Sequence, residues 1–458
     1  MYINHKKTGL FIASGFIIFL ILNSCTIPDR NTDRSIPEYE NILEQHMLKA
    51  WYPRCVDTVY GGYYSDFDAD WNLRPTNQQK LLVTQTRHVW SSSKAWSYFR
   101  DSIYTTAAMQ GMDFLRSHMY DEIHGGFFML RNRDGSAPDN SYRNEKRTYG
   151  MAFVINATTA YFEAFADSSA LDLAVESYLW VEKHSYDPIH DGYYDHLSDN
   201  GDVLHGTMAK DSISIGMKDY NSTLHLLEAY RNLYRIWPDE ELGNRLKNLL
   251  TLLQDHFFHE KGYMLLHFTP EWEHVSFKDS TQTQIQSATS LDFLTCGHDL
   301  EVIWLMHDAA RLLDIEDDDI TTFTQKVTDH VLKSVWDKEN GGIYDKAFYF
   351  NNDNNVTILK NTKMWWAQAE ALYAFLYMYL VSPDRKEYLD AYQKQWNYIK
   401  NNLIDYDRGG WYEYGLDTSP GSIHGRKSYS WKVTFHDSRA MWNCIELFRM
   451  HSTILEGK

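Results

Sequence analysis

A glycine followed by two large, mostly aromatic residues recurs six times along the chain, and this repeat limits the fold more than any other feature. The glycines stand at positions 62, 126, 192, 262, 342 and 410 of the 458-residue sequence. Intervals of 64 to 80 residues leave room for two helices and a connection in each repeat. Because one pair of helices cannot bury its apolar face alone, successive pairs are expected to stack on one another.

The segments between these glycine marks have helical periodicity. In residues 224–237 the apolar positions recur at steps of three and four, and Pro238 ends the helix. Residues 127–136, 193–202 and 411–422, which follow three of the marks, are typical of short hairpins. We therefore predict an all-α fold, an (α/α)6 barrel of twelve helices in two layers. Short β-hairpins would gather at one end, around a central funnel that holds the site. An open helical solenoid is the alternative.

The N-terminus has the features of an export signal. Two lysines precede an apolar run from Leu10 to Leu22, and Cys25 follows shortly after it. The run is shorter than the ~20 residues that a membrane-spanning helix needs, which argues against an uncleaved anchor. Its arrangement resembles the lipobox of bacterial lipoproteins. That resemblance implies a signal peptide over residues 1–24, lipidation of Cys25 and a polar tether over residues 25–38. The expected location is a bacterial membrane, on its periplasmic or outer side.

The net charge and the cysteine content limit which molecules the protein is expected to bind and whether it forms disulfides. The formal net charge is −18 and basic tracts are lacking, so nucleic acid is not an expected partner and the substrate should be close to neutral. Cys55, Cys296 and Cys444 form no close pair and are expected to be buried thiols. The 15 Trp, 32 Tyr and 22 Phe can pack the core and stack on sugar faces. No linker interrupts residues 39–456, which we take as one domain.

Five segments place polar, ring-bearing residues at the start of otherwise apolar helices. They are residues 84–90, 221–230, 296–305, 363–372 and 430–439. His298 and Glu301 are three residues apart and share a helix face, so the carboxylate can orient the imidazole or hold its proton. Trp366 and Glu370 are four apart and also share a face. We expect them to offer substrate a stacking plate and a hydrogen-bond acceptor.

These segments carry a family resemblance. The motifs are LHLLEAY (224–230), GHDLE..WL (297–305), WW.QAEAL (365–372) and W....H.SR (431–439), and they resemble those of the N-acylglucosamine 2-epimerase family. Gln368 and Asp299 are similar to the branch that acts on disaccharides, the cellobiose and mannobiose 2-epimerases. Phe435 departs from that branch, which commonly has tyrosine there. The resemblance covers nearly the whole chain after the leader.

The resemblance implies an isomerase that inverts C2 of the reducing-end sugar in a β-1,4-linked disaccharide, without a cofactor or a metal. The implied catalytic residues are His225, His298 and His436, with Glu301 supporting His298. The residues implied to bind or surround the sugar are Arg87, Tyr149, Trp366 and Trp431.

The chemistry of epimerisation agrees with these roles. The C2 proton of a sugar becomes acidic once the ring opens to the aldehyde, and inversion returns a proton to the opposite face of C2. Two imidazoles can do this, since each serves as base in one direction and acid in the other. We assign this pair to His298 and His436, and the polarisation of the sugar oxygens to His225 and Arg87. A zinc site is disfavoured because residues 298–301 read H-x-x-E and lack the HExxH form.

Other functions remain open on the sequence alone. Within the same fold, the substrate could be an N-acylglucosamine, or the reaction an aldose–ketose isomerisation. A glycoside hydrolase would use two of Glu301, Glu370 and Glu413. A glycan-binding lipoprotein would need no catalytic group. The last two leave the three motif histidines without a role.

Overall fold

The computed structural model describes residues 32–139, 144–205, 214–287, 291–316, 318–350 and 354–456. Within these ranges, twelve long helices form two concentric layers, which confirms the predicted (α/α)6 barrel. In chain order they are α1 (Thr32–Asn41), α2 (Leu82–Phe99), α3 (Ser102–Phe114), α4 (Thr148–Phe165), α5 (Ser168–His184), α6 (Tyr220–Ile236), α7 (Glu240–Leu252), α8 (Cys296–Leu312), α9 (Asp318–Ser334), α10 (Trp365–Val381), α11 (Lys386–Asn402) and α12 (His436–Glu456).

The even-numbered helices form the inner layer. Each inner helix from α2 to α10 packs against the next inner helix and against the outer helix that follows it in the chain. The ring closes where α12 meets α2: the Ser91 hydroxyl donates to the Thr434 carbonyl, and the rings of Trp90 and Trp442 lie 5.7 Å apart. Helix α1 then covers α12 from outside. The structure is therefore a closed barrel and not an open solenoid.

The two layers differ in sequence because they differ in surroundings. Nearly every side chain of α10 is buried, in keeping with an apolar helix enclosed on all sides. Outer helices such as α11 bury only one face. Three outer helices lengthen through π-helical turns, Ile42–Leu48, Leu115–Met119 and Leu253–Phe257, and α1 finishes with Lys49–Trp51. The short helix Gln282–Ser287 lies before α8.

Short antiparallel strands form ribbons at one end of the barrel. They are β1 (Lys80–Leu81), β2 (Leu130–Arg131), β3 (Lys146–Arg147), β4 (His196–Leu197), β5 (Lys218–Asp219), β6 (Phe258–His259), β7 (Tyr263–Met264), β8 (His267–Phe268), β9 (Lys346–Phe348) and β10 (Thr357–Lys360). Three ribbons, β1–β2, β3–β4 and β5–β8, join the strand before an inner helix to a strand of the next repeat. Successive repeats are thus tied at the end where the inner helices begin.

Two of the three segments predicted to form hairpins contain a tight turn. Residues 132–136 form a tight turn after β2, and Leu197 bridges Val203 across the turn after β4. The prediction for residues 411–422 is wrong. Tyr414 instead bridges Met364, and Pro420–His424 form a 3-10 turn. Proline lacks the N–H that a strand ladder needs, which explains why the chain turns there.

A buried aspartate–lysine pair recurs beside five of the six glycine marks. The aspartate stands five residues before the glycine, and the lysine comes from the segment that precedes the next inner helix; the two charged groups are 2.6–3.3 Å apart. The pairs are Asp57–Lys80, Asp121–Lys146, Asp187–Lys218, Asp337–Lys363 and Asp405–Lys427. At the remaining mark, Phe257 occupies the aspartate position.

The first helix begins earlier than the tether prediction allowed. Helix α1 starts at Thr32, so the last seven residues of the predicted tether (25–38) are helical. Ile36 packs against the core and Glu38 pairs with Lys400 of α11 at 3.0 Å, which explains the order of this segment. The predicted signal peptide and Cys25 lie outside the described residues. Among the residues described, no helix combines the length and apolar character that crossing a membrane requires.

Candidate active site

The residues singled out in the sequence lie in the first halves of the inner helices. Each of the six inner helices contributes at least one of them at the ribbon end of the barrel. They are Arg87 of α2, Tyr149 of α4, His225 of α6, His298 and Glu301 of α8, Trp366 and Glu370 of α10, and His436 of α12. The barrel therefore brings residues 87 and 436 to the same centre.

His436 is held by a carboxylate beneath it. Its Nδ1 lies 2.7 Å from Glu370 Oε1, and both side chains are buried. When Glu370 is ionised it can only accept a hydrogen bond, so Nδ1 donates and the lone pair lies on Nε2; when Glu370 is protonated it donates to Nδ1, and Nε2 carries the proton of the neutral ring. The ring nitrogen that is not bound to Glu370 is the base in the first of these states.

His225 is held in the same way from its own helix. Its Nδ1 lies 3.2 Å from Oε2 of Glu228, three residues later on α6. Nε2 is buried and makes no hydrogen bond to any protein atom in the described ranges. The Tyr149 ring stands edge-on to this imidazole, with ring centres 5.2 Å apart. His225 thus presents an unpartnered ring nitrogen beside a phenol.

His298 lies against the indole of Trp366. Their ring centres are 4.7 Å apart, and the ring centre of His436 lies 5.6 Å from the same indole. The His298 and His225 rings are 6.3 Å apart and nearly perpendicular. The Tyr220 hydroxyl donates to the His298 carbonyl at 3.0 Å and so fixes the start of α8. Two imidazoles therefore lie beside the same indole.

One guanidinium binds three carboxylates below the histidines. Arg439 Nη1 donates to Glu228 at 2.7 Å, and Nη2 donates to both Glu370, at 2.7 Å, and Glu301. All four groups are buried. Arg439 thus links the helices that carry the three histidines, because its partners are the residues beside or beneath them.

The protonation of this cluster is set by burial and by Arg439. Burial opposes ionisation of Glu228, but the positive charge of Arg439 and the bond from His225 outweigh it and lower its pKa to about 2. Burial and the neighbouring Glu370 raise the pKa of Glu301 to about 6. Burial also raises the pKa of Glu370. The cluster therefore contains one strongly ionised carboxylate and two that retain protons readily.

The two histidines beside Trp366 are held neutral. Burial, with the charges of His225 and Arg87, lowers the pKa of His298 to about 3. Burial, with Arg87 and Arg439, lowers the pKa of His436 well below its usual value. Both rings are therefore present as neutral bases at physiological pH.

Arg87 is stacked between rings and keeps its charge available. Its guanidinium lies 4.5 Å from the ring of Phe153 and 5.2 Å from that of Phe435. Nη2 donates to the Tyr149 hydroxyl at 3.1 Å and Nη1 to the Trp431 carbonyl at 3.4 Å. Within the described residues no carboxylate pairs with it, which leaves a cation suited to sugar oxygens.

Trp431 lies at the mouth and adjoins an open groove. Its side chain is 42% exposed, and its ring centre is 6.3 Å from that of Tyr149. A cavity of about 420 Å³ extends from it, and we call this the outer groove. Its lining includes Asp66, Gln78, Arg147, Tyr429 and Trp431. The outer groove is thus lined by polar and charged side chains together with the rings of Tyr429 and Trp431.

Two triads in this cluster have ligand atoms close enough to hold a metal ion. In His225, His298 and Glu301, and again in Glu301, Glu370 and His436, those atoms lie within 4.8 Å of one another. However, Arg439 already bonds to both glutamates. The guanidinium thus supplies the positive charge that a cation would otherwise bring.

Two of the expected roles differ from the observed contacts. Glu301 shares a helix face with His298, but its hydrogen bond goes to Arg439. Glu370 lies beneath His436, so it holds a histidine and does not line a sugar plate. Glu228 and Arg439 received no role from the sequence. The available signal was their position, since each is a charged residue inside an apolar helical stretch.

Known proteins resemble this chain over most of its length. The model of the family described as N-acylglucosamine 2-epimerase matches residues 62–423. The cellobiose 2-epimerase of Bacteroides fragilis is 27% identical over 421 residues, which cover 90% of this chain and 97% of that protein.

Solved structures show the same fold. The cellobiose 2-epimerase from Bacillus thermoamylovorans B4167 superposes with a TM-score of 0.78 at 26% identity and covers 91% of this chain and 100% of its own. A D-mannose isomerase gives a TM-score of 0.77 at 20% identity, with 92% and 100% covered. The second likeness concerns the fold alone.

Proposed function

The chain belongs to the N-acylglucosamine 2-epimerase family, and we propose that it is a disaccharide 2-epimerase that interconverts cellobiose and glucosyl-mannose, or acts likewise on mannobiose. The relatives named cellobiose 2-epimerase support this substrate class. The reaction inverts C2 of the reducing-end sugar and leaves the glycosidic bond intact.

The observation that carries the proposal is the pair of neutral imidazoles that lie beside the indole of Trp366. The His298 and His436 ring centres lie 4.7 Å and 5.6 Å from that indole. A sugar chain stacked on the indole would present C2 between two bases. Inversion needs one group on each face of C2, whereas a hydrolase needs two carboxylates at a glycosidic bond.

The first step removes the C2 proton from the ring-opened aldehyde. One imidazole takes this proton on Nε2, and the C–H electrons form a C1–C2 double bond as the C1 carbonyl becomes an oxyanion. The product is a cis-enediolate. Arg87, which has no carboxylate partner within the described residues, would donate to its oxygens, and the unpartnered Nε2 of His225 would do the same when that ring carries both protons.

The second step returns a proton to the opposite face of C2. When His436 is the acid, Nε2 gives its proton to C2 while Nδ1 takes one from Glu370, so the ring stays neutral. The raised pKa of Glu370 and the 2.7 Å contact support this relay. Proton exchange with solvent then resets the pair for the next turnover.

The outer groove would hold the second sugar. It adjoins Trp431 and Arg147 and has a volume of about 420 Å³, within the range of ~300–1,000 Å³ common for small-molecule sites. Exposed tryptophan suits the face of a pyranose ring. The open mouth therefore favours a disaccharide over a free monosaccharide.

We further propose that the mature protein is exported and held at a bacterial membrane by a lipid on Cys25. This rests on the leader sequence alone. Labelling cells with an azide- or alkyne-bearing fatty acid tests it. Label on the wild-type protein and its loss in Cys25→Ala would support the anchor, and equal labelling of both would contradict it.

The activity itself is tested by proton NMR of cellobiose in D2O with purified protein. We expect the C2 epimer to appear with one deuteron at C2 and with the glycosidic linkage intact. A ketose labelled at C1 would indicate aldose–ketose isomerisation. Free monosaccharide without label at C2 would indicate hydrolysis. Either outcome would replace the proposed reaction.

A further inference from the structure

The barrel end opposite the ribbons holds a second cavity. Its volume is about 300 Å³, and we call it the far cavity. All six inner helices contribute to its wall through residues in or near their second halves. One residue from each is Lys94, Asn156, Arg231, Asp308, Tyr373 and Asn443. The active site and the far cavity are therefore the two ends of one barrel interior.

The floor of the far cavity is the underside of the catalytic cluster. Arg439 and Glu228 line it, and the same pair is joined by the 2.7 Å bond that supports the histidines. The two compartments are thus separated by one layer of side chains. A molecule in the far cavity would not contact the imidazoles.

Several buried donors in the wall have no protein partner. Asn156 Nδ2, Arg231 Nε, Arg439 Nε and Trp442 Nε1 make no hydrogen bond to protein atoms in the described ranges, and neither does the Thr159 hydroxyl. Buried polar groups are normally satisfied by protein, water or ligand. The wall also carries the amide groups of Asn232 and Asn443, which can both donate to and accept from hydroxyl groups, so the cavity favours a hydroxyl-rich guest.

The charges in the wall are already paired. Arg231 lies 3.2 Å from Asp308, and Lys94 lies 3.5 Å from Glu163. Arg235 pairs with the same Glu163, and Arg439 with Glu228. No cation of the wall is left without a carboxylate. The cavity therefore favours a neutral guest over an anion.

Aromatic rings complete the wall. Trp90, Trp304, Tyr373 and Trp442 all line the far cavity and are buried. Flat apolar rings between hydrogen-bond donors suit a molecule with C–H faces and an equatorial rim of hydroxyls. The volume lies at the lower end of the ~300–1,000 Å³ typical of small-molecule sites.

We propose that the far cavity is a second binding site, which takes a neutral, hydroxyl-rich molecule of about the size of one monosaccharide. This site is independent of the proposed reaction, since none of the three motif histidines lines it.

Isothermal titration of the full chain tests the site with D-glucose and D-mannose, and with inorganic phosphate as the charged alternative.

Two variants alter the far cavity. Asn156→Leu replaces an amide of the wall with an apolar side chain of nearly the same size, and Asn443→Phe places a larger side chain where it reduces the cavity volume. Trp366→Ala instead removes the sugar plate of the active site. We expect the sugar-binding event to persist in Trp366→Ala and to weaken about tenfold or more in the two far-cavity variants, as lost hydrogen bonds and lost volume require.

Three results would overturn the proposal. Sugar binding that disappears in Trp366→Ala and is unchanged in both far-cavity variants would place it in the active site alone. Phosphate binding in preference to both sugars would contradict the neutral class. No saturable binding of either sugar would show that only water fills the cavity. If Asn156→Leu does not fold, Asn443→Phe still provides the far-cavity variant. The binding measurements do not depend on epimerase activity, so they remain valid if the proposed reaction is not found.

Discussion

The first and second halves of the inner helices hold their charged groups in different surroundings, buried in the first halves and partly exposed in the second. In the first halves, three glutamates share the single guanidinium of Arg439, and burial raises the pKa of two of them. In the second halves, each cation of the cavity wall has a carboxylate beside it. Burial combined with an excess of carboxylates therefore marks the reactive half. Buried carboxylates in excess of cations can hold and release protons, whereas partly exposed charges with an opposite charge beside them serve to hold the helices together.

The strongest contrast between the halves should lie in their histidines. His298→Ala and His436→Ala should each lower kcat/KM by ~10²–10⁴-fold, since each face of C2 depends on its own imidazole. His307 lies in the second half of α8 and bonds to Thr324 of α9 at 3.0 Å. His307→Ala should change kcat/KM only a few-fold. Initial epimerisation rates measure this. A loss in His307→Ala as large as in the other two would erase the functional distinction between the halves.

The arginines of the two halves should differ in their contribution to stability. Arg439→Met strands buried carboxylates and should lower the free energy of unfolding by ~3–5 kcal/mol. Arg231→Met breaks a pair whose side chains are 15% and 20% exposed and should cost less than about 1 kcal/mol. Urea denaturation followed by circular dichroism compares them. An equal loss of unfolding free energy in the two variants would mean that Arg439 contributes no more to stability than an arginine in a single, partly exposed ion pair.

The pH dependence of stability should show that Glu301 binds a proton more tightly in the folded protein than in the unfolded chain. Its folded pKa of about 6 lies above the ordinary value of 4.5, so the folded protein keeps a proton that the unfolded chain releases. The proton therefore adds ~2 kcal/mol to the free energy of unfolding below pH 4.5, and this stabilisation is lost as the pH rises through 6. Glu301→Gln should lack it. The variant should therefore gain stability relative to the wild type between pH 4.5 and 7, measured by urea midpoints. A constant difference across that window would contradict the raised pKa.

The smallest expected effect is that of chelation. Because Arg439 and Arg87 already place positive charge at the carboxylates and beside the sugar oxygens, exhaustive dialysis against EDTA should leave kcat unchanged. Rates before and after dialysis, with a zinc or manganese add-back, check this. Activity that disappears and returns with metal would assign the two histidine–glutamate triads to a cation instead.

The fold could be predicted from the sequence because its signals are periodic. Six glycine marks and helical apolar spacing report local structure, and the closed ring follows from their number. The recurring aspartate five residues before the glycine was also readable, since it appears in five repeats. The region 411–422 was misread as a hairpin because its aromatic start resembled the others while Pro420 changed the path.

The candidate site was predictable only within single helices. Spacing showed that His298 and Glu301 share a face, but the partner of Glu301 is Arg439, on a helix 138 residues away in sequence. Likewise His436 binds Glu370 across 66 residues. Helix periodicity reports which side chains point the same way on one helix. It does not report which faces meet across a barrel, so the residues that hold the histidines were found only in three dimensions.

The closure of the ring by α12 has a consequence for how the protein is made. His436 and Arg439 are in α12, the sixth inner helix along the chain, so a chain still growing on the ribosome has no complete site until this helix emerges. Until then Glu228, Glu301 and Glu370 lack the guanidinium that they share. In an unfinished barrel these carboxylates must therefore be protonated or hydrated by water. Helix α12 makes the interior both stable and reactive, and a chain cut short before it would be neither.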